Sequence, residues 1–164
     1  MPELEVSLPE VYLHPGELYL SRKPAIIRTI LGSCVGATFW SARLRVGALC
    51  HAQLPQCPSS STDLDLTIGS RYVDFSIRYL ARQFDKLGAS RTEVQVKLFG
   101  GADVLLVSDP AAAKPTVGKM NCKAALEILR IEGLNLNASS LGGTSGLNIL
   151  FNTGTGEVLL RRHS

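Results

Sequence analysis

Two periods of apolar residues run through this chain. Val73, Ile77, Leu80, Phe84 and Leu87 recur at helical spacing, and Gly88 follows as a stop. A second helix is predicted over 119–132, with Cys122, Ala125, Leu126 and Leu129 inward and Gly133 ending it. Short apolar runs predict strands over 25–31, 34–40, 45–52, 93–99, 135–140, 147–152 and 157–161, and "TGTG" between the last two reads as a hairpin turn. Strands outnumber helices and several adjoin through short turns. That favours mixed sheet layers covered by helices, of α/β or α+β class, over a doubly wound parallel sheet. "QCPSSSTDLD" (56–65) and "SDPAAAKP" (108–115) read as surface loops.

The stretch "CVGATFWSARLRVGALCH" (34–51) reads as one hairpin with "SARLR" at its turn. A turn centred on Ala42 and Arg43 sets Val35 against Cys50, Ala37 against Ala48 and Phe39 against Val46, forming an apolar face. On the other face Trp40 meets Arg45, Thr38 meets Gly47, Gly36 meets Leu49 and Cys34 meets His51. Directly opposed Cβ atoms lie about 4.5–5.5 Å apart, close enough for a thiol and an imidazole to interact. Gly36 and Gly47 on that face are expected to leave open space beside the pair, and Trp40 to stack on Arg45 at the surface.

Such a pair suits nucleophilic acyl chemistry. A neighbouring imidazolium stabilises a thiolate, the thiolate attacks an acyl carbon, the imidazole protonates the leaving group, and water resolves the thioester. Backbone N–H groups at Gly32, Ser33 and Cys34 are the candidate oxyanion donors, since glycine permits close backbone approach.

Length and composition narrow the alternatives. The chain has 164 residues, enough for one domain (1–164) with a real core, and is 45% hydrophobic and 19% charged. A net charge of +3, with no basic cluster longer than a pair, argues against nucleic-acid binding. "MPELEVSLPE" lacks the pattern of a signal peptide, and no apolar stretch is long enough to insert in a membrane, so a cytoplasmic location is expected. The four cysteines (34, 50, 57 and 122) form no CxxC. Cys50 and His51 would point to opposite faces of a strand, so neither a metal nor another cofactor is expected. Cys50 and Cys122 are read as core, Cys57 as an exposed spectator, and Asn121 as a helix-start residue.

The motifs "PGELYL", "TILGSCVG", "VGALCHAQLP", "RYVDFSIRYL", "VKLFGGAD", "VGKMN", "SLGGTSG" and "EVLLRR" stand in the order found in the CheD family of chemoreceptor glutamine deamidases. The chain resembles that family over nearly its whole length. The resemblance implies a three-layer α/β fold, a mixed β-sheet sandwich with flanking helices. It implies cysteine-hydrolase chemistry that turns selected glutamines on the cytoplasmic helices of methyl-accepting chemotaxis receptors into glutamate, with release of ammonia. It carries Cys34 over as nucleophile and His51 as base, and implies a hydroxyl residue shortly before the cysteine. Thr29, five residues upstream, is the candidate, with Arg28 beside it. Leu147 stands where the family commonly has a basic residue. A CheC-type phosphatase is the implied protein partner. Two other readings stay open: a catalytically weak binding module for that phosphatase or the receptor, and a cysteine peptidase using the same dyad.

Overall fold

The structure is a computed structural model describing residues 7–58, 65–104 and 114–163. Parts of both expected surface loops (59–64 and 108–113), and most of the N-terminal segment, lie outside the described residues. The elements run β1 (Glu10–Tyr12), β2 (Leu18–Ser21), β3 (Ile26–Leu31), β4 (Val35–Ser41), β5 (Val46–Ala52), α1 (Leu66–Gly69), α2 (Val73–Lys86), β6 (Gln95–Gly100), α3 (Val117–Ile131), β7 (Leu136–Leu141), β8 (Leu147–Asn152) and β9 (Val158–Arg162). Each strand expected from the apolar pattern is present to within one or two residues. The pattern did not announce β1, β2 or the single turn α1, because such short segments carry too few apolar positions to show a period.

The strands form two sheets, one ordered β1-β3-β8-β9 and the other β2-β5-β4-β6-β7. Helices α2 and α3 cover one face of the five-stranded sheet, where Ile77, Leu80, Phe84, Ala125 and Leu129 pack with Val35, Ala37, Phe39, Ala48 and Cys50. The four-stranded sheet covers the opposite face: Ile27 and Phe151 pack against Leu49, and Leu31, Leu147 and Ile149 against Phe99. Helices, five strands and four strands make three layers.

This layering accounts for the sequence pattern. β4 and β5 lie in the middle layer and are buried almost throughout, so they read as continuous apolar runs. β3 and β8 have one covered face, so buried and more exposed residues alternate along them. In α2 the expected stripe faces the core and Gly88 follows the helix at φ 90°. The α3 stripe is rotated from the expected one: Leu126 is exposed, and Ala124, Ala125, Ile128 and Leu129 face inward.

The hairpin has the expected faces and a different register. Gly36 lies opposite His51, Val35 opposite Ala52 and Ser41 opposite Val46, a shift of two residues. The cause is the turn. "SARLR" has no glycine for a two-residue connection, so the chain closes through Ala42–Arg45, with Arg45 in the left-handed region at φ 54°. A two-residue shift preserves the side-chain alternation, so both faces keep their membership.

The space expected at the two glycines is filled. A Cβ on Gly36 would come within 2.9 Å of Leu31 Cδ1, and one on Gly47 within 2.7 Å of Thr153 Cβ. These glycines let the sheets approach each other. Trp40 belongs to the same seam: its Nε1 donates to Thr153 O at 2.9 Å and its ring lies against Gly156, away from the expected stack on Arg45.

Substituting Gly47→Ala should therefore destabilise the protein. Clash with Thr153 costs about 1–3 kcal/mol, which outweighs the gain of up to about 1 kcal/mol from a less flexible unfolded chain. A lower urea midpoint at unchanged slope would show it.

Candidate active site

Between β3 and β4 the chain leaves the four-stranded sheet and enters the five-stranded one, turning through Gly32, Ser33 and Cys34. All three carbonyls of this bend are held. Ala102 N donates to Gly32 O at 2.9 Å, Asn121 Nδ2 to Ser33 O at 2.9 Å, and Gly101 N to Cys34 O at 2.8 Å. None of the three backbone N–H groups donates to a carbonyl of a described residue. Of the three, the Cys34 N–H lies close enough to act on its own sulfur.

Cys34 is half-buried and packs beside Leu31, Phe99, Leu147 and Ile149. Burial pushes its thiol above the ordinary value, and its own N–H pulls weakly the other way.

His51 lies inside, on the face of β5 turned toward the four-stranded sheet, and is almost wholly buried. Its Nδ1 lies 2.7 Å from Thr29 Oγ1, across the seam between the sheets. The Thr29 hydroxyl donates to Leu13 O at 2.8 Å. A hydroxyl has one proton, so with that proton on Leu13 O the oxygen accepts from His51 Nδ1–H. The neutral ring then carries its lone pair on Nε2. The chain before β2 runs along the His51 backbone, with His51 N donating to Glu17 O at 2.9 Å and Gly16 N to His51 O at 2.7 Å. Burial lowers the imidazole from 6.5 to about 4, against a smaller upward pull from Glu17.

These environments correct one expectation. Burial favours a neutral thiol and a neutral imidazole, so the resting pair is not a thiolate beside an imidazolium. Direct opposition is also corrected: Cys34 sits in the bend, two residues before the Gly36 that faces His51, and no hydrogen bond joins sulfur and ring among the described residues. Thr29 and His51 are brought into contact. Cys34, Gly32 and Ser33 lie together on the adjoining bend.

The two Gly-Gly corners build its outer wall. A Cβ on Gly100 would overlap Cys34 O, and one on Gly101 the Cys122 sulfur. Gly142 N donates to Gly100 O at 2.8 Å and Asp103 N to Gly143 O at 2.9 Å, tying the second corner to the first. An open hollow beside Gly32 is lined by Ile30, Val104, Thr144, Ser145 and His163. Leu147 is core, paired with Leu31. Cys50 is buried on the helix side, its thiol pushed up to about 12. No cluster of three or more His, Cys, Asp or Glu able to hold a metal exists among the described residues.

Sequence reasoning missed Asn121. Thr116 caps α3, its hydroxyl accepting from Lys119 N, and Asn121 lies beyond the first turn, fully buried. A polar residue on the inward face of a helix, one turn from Gly118, was the signal available.

The family profile for CheD chemotactic sensory transduction matches residues 54–162. A Geobacter sulfurreducens protein named "Probable chemoreceptor glutamine deamidase CheD 2" is 43% identical over 94% of this chain and 91% of its own. A Maridesulfovibrio salexigens protein named "Probable chemoreceptor glutamine deamidase CheD" is 39% identical over 99% and 96%.

The chain belongs to the CheD family.

The profile match begins after His51, whereas alignment with these CheD relatives extends over nearly the whole chain. The crystal structure of Bacillus licheniformis hypothetical protein YfiH shares the fold, with a TM-score of 0.51 and 8% identity over 77% of this chain and 51% of that one. No helix among the described residues of this CheD chain is long and apolar enough to cross a membrane.

The buried imidazole carries a pH signature. The folded state resists protonating His51, so the unfolded chain binds the extra proton between pH 6.5 and about 4. Stability from this residue is complete above the unfolded value and is lost as pH falls toward the folded one. The unfolding free energy should drop by up to about 3 kcal/mol across that window, and by less in His51→Gln. Urea titrations at several pH values would measure the difference.

Proposed function

We propose that this chain is a protein-glutamine deamidase of one domain, acting in the cytoplasm on chemoreceptor helices. The Thr29–His51 hydrogen bond is the observation that carries the reading, because it leaves a bare nitrogen on a buried ring next to the cysteine bend. Family membership supports the substrate: the curated relatives are named chemoreceptor glutamine deamidases. A CheC-type phosphatase is the proposed protein partner.

The chemistry begins from neutral groups. His51 Nε2 takes the Cys34 proton as the sulfur attacks the side-chain carboxamide carbon of glutamine. Transfer coupled to attack suits a pair that burial keeps uncharged. The developing oxyanion meets the N–H groups of the Gly32–Cys34 bend. The imidazolium protonates the departing nitrogen, ammonia leaves, and a thioester remains. His51, again neutral, takes a proton from water. The hydroxide attacks the thioester, releasing glutamate, and the proton returns to the sulfur. The balance is glutamine plus water giving glutamate plus ammonia. The sulfur closes onto Nε2 as it attacks an electrophile, since catalytic hydrogen bonds commonly tighten only in the reacting complex.

A binding module of weak turnover has two observations in its favour: burial raises the Cys34 thiol, and no hydrogen bond among the described residues links it to His51.

Incubation with a receptor cytoplasmic fragment decides between them. Each conversion adds about one dalton by mass spectrometry, and Cys34→Ala should abolish it. His51→Ala should lower kcat by at least about a hundredfold. Thr29→Ala should lower it by roughly tenfold to a hundredfold through misplacement of the ring, with Thr29→Ser largely restoring it. An unchanged receptor mass with the unmodified protein supports the module.

Thiol alkylation gives a second, substrate-free readout. Cys34 should react faster than Cys57 near neutral pH, because His51 takes its proton as the sulfur attacks iodoacetamide, and should lose that advantage in His51→Ala.

A further inference from the structure

Asn121 is fully buried within α3, a position that suits an asparagine poorly. Its Nδ2 donates to two carbonyls, Ser33 O at 2.9 Å and Gln53 O at 3.0 Å. Both amide protons are therefore used. Turning the amide over would aim Oδ1 at the same two carbonyl oxygens, so the orientation has no alternative. Oδ1 is buried with no partner among the described residues. An acceptor left bare in the interior is a cost to folding, so stability alone does not explain an asparagine here.

What the amide holds does explain it. Ser33 immediately precedes Cys34, and Gln53 is the second residue after His51. Neither carbonyl has another hydrogen-bond partner among the described residues. The bend's other two carbonyls are anchored to the chain following β6, at Gly101 and Ala102. Beside the Val35–Ala52 pair of the sheet, Asn121 is the side chain that, among the described residues, links the bend to the end of the strand that bears His51. Of the three anchored carbonyls, Ser33 O is the one adjoining Cys34 whose partner also holds the His51 strand, so this link bears on where the sulfur stands relative to the ring.

We infer that Asn121 is a positioning residue, whose single amide straps the nucleophile's bend to the base's strand and aligns Cys34 with His51. The inference rests on the deamidase reading for its purpose, and on the two hydrogen bonds for its geometry.

The test is a double-mutant cycle on Cys34 alkylation by iodoacetamide, with Cys57 as internal reference. Asn121→Leu removes both donors. Asn121→Asp keeps the shape, and its carboxylate cannot donate. Both are measured in the native and His51→Ala backgrounds, below each variant's thermal midpoint. Each should slow Cys34 by about tenfold or more in the native background, leave Cys57 unchanged, and cause no further loss once His51 is absent. Relative to the unmodified protein, Asn121→Asp should recover as pH falls, because a protonated carboxyl again donates to one carbonyl. With receptor fragment, kcat should fall at constant KM. An equal loss at Cys57, a loss undiminished in the His51→Ala background, or no loss overturns the inference. If the unmodified protein converts no receptor glutamine while the alkylation cycle holds, the deamidase reading fails and the positioning role stands.

Discussion

The Thr29–His51 hydrogen bond joins the inner faces of two sheets at the end where the chain crosses between them. It requires the sheets to stand close. Leu31 fills the space above Gly36 and Thr153 the space above Gly47, so both glycines serve that approach. A larger residue at either position would separate the layer that carries the ring from the layer that carries the hydroxyl. The seam that stabilises the fold therefore also sets the imidazole tautomer.

Burial in that seam has two consequences for reactivity. It holds His51 neutral across the physiological range, so the ring is available as a base without first losing a proton. It also keeps Cys34 protonated, so the nucleophile is generated only as it reacts. The backbone around the pair is well anchored, with all three carbonyls of the Gly32–Cys34 bend held and the chain before β2 bonded along the His51 backbone.

The helix layer reaches this seam through one side chain. α3 lies on the far side of the five-stranded sheet from the four-stranded one, yet Asn121 contacts the backbone beside both Cys34 and His51. Gly118 of α3 makes that contact possible: a Cβ there would overlap the carbonyls of Gly101 and Ala102 at the first Gly-Gly corner. The same corner serves both site and helix, Gly100 lying against Cys34 O and Gly101 against Cys122 of α3.

Local pattern was enough for the two long helices, seven strands, the two faces of the β4–β5 hairpin and the choice of Cys34 and His51 as candidates, while Thr29 came from the family resemblance. All of these follow from residue spacing, from side-chain alternation that survives a two-residue slip, or from motifs contiguous in the chain. Tertiary structure decided the rest. Register depended on a turn closed by Arg45 in the left-handed region, which residue type alone does not announce. The occupants of the space beside Gly36 and Gly47 come from strands far along the chain. The neutral state of Cys34 and His51, and the task of Asn121, depend on what surrounds them. Periodicity reports which way a side chain points; what it meets there depends on layers assembled from distant segments.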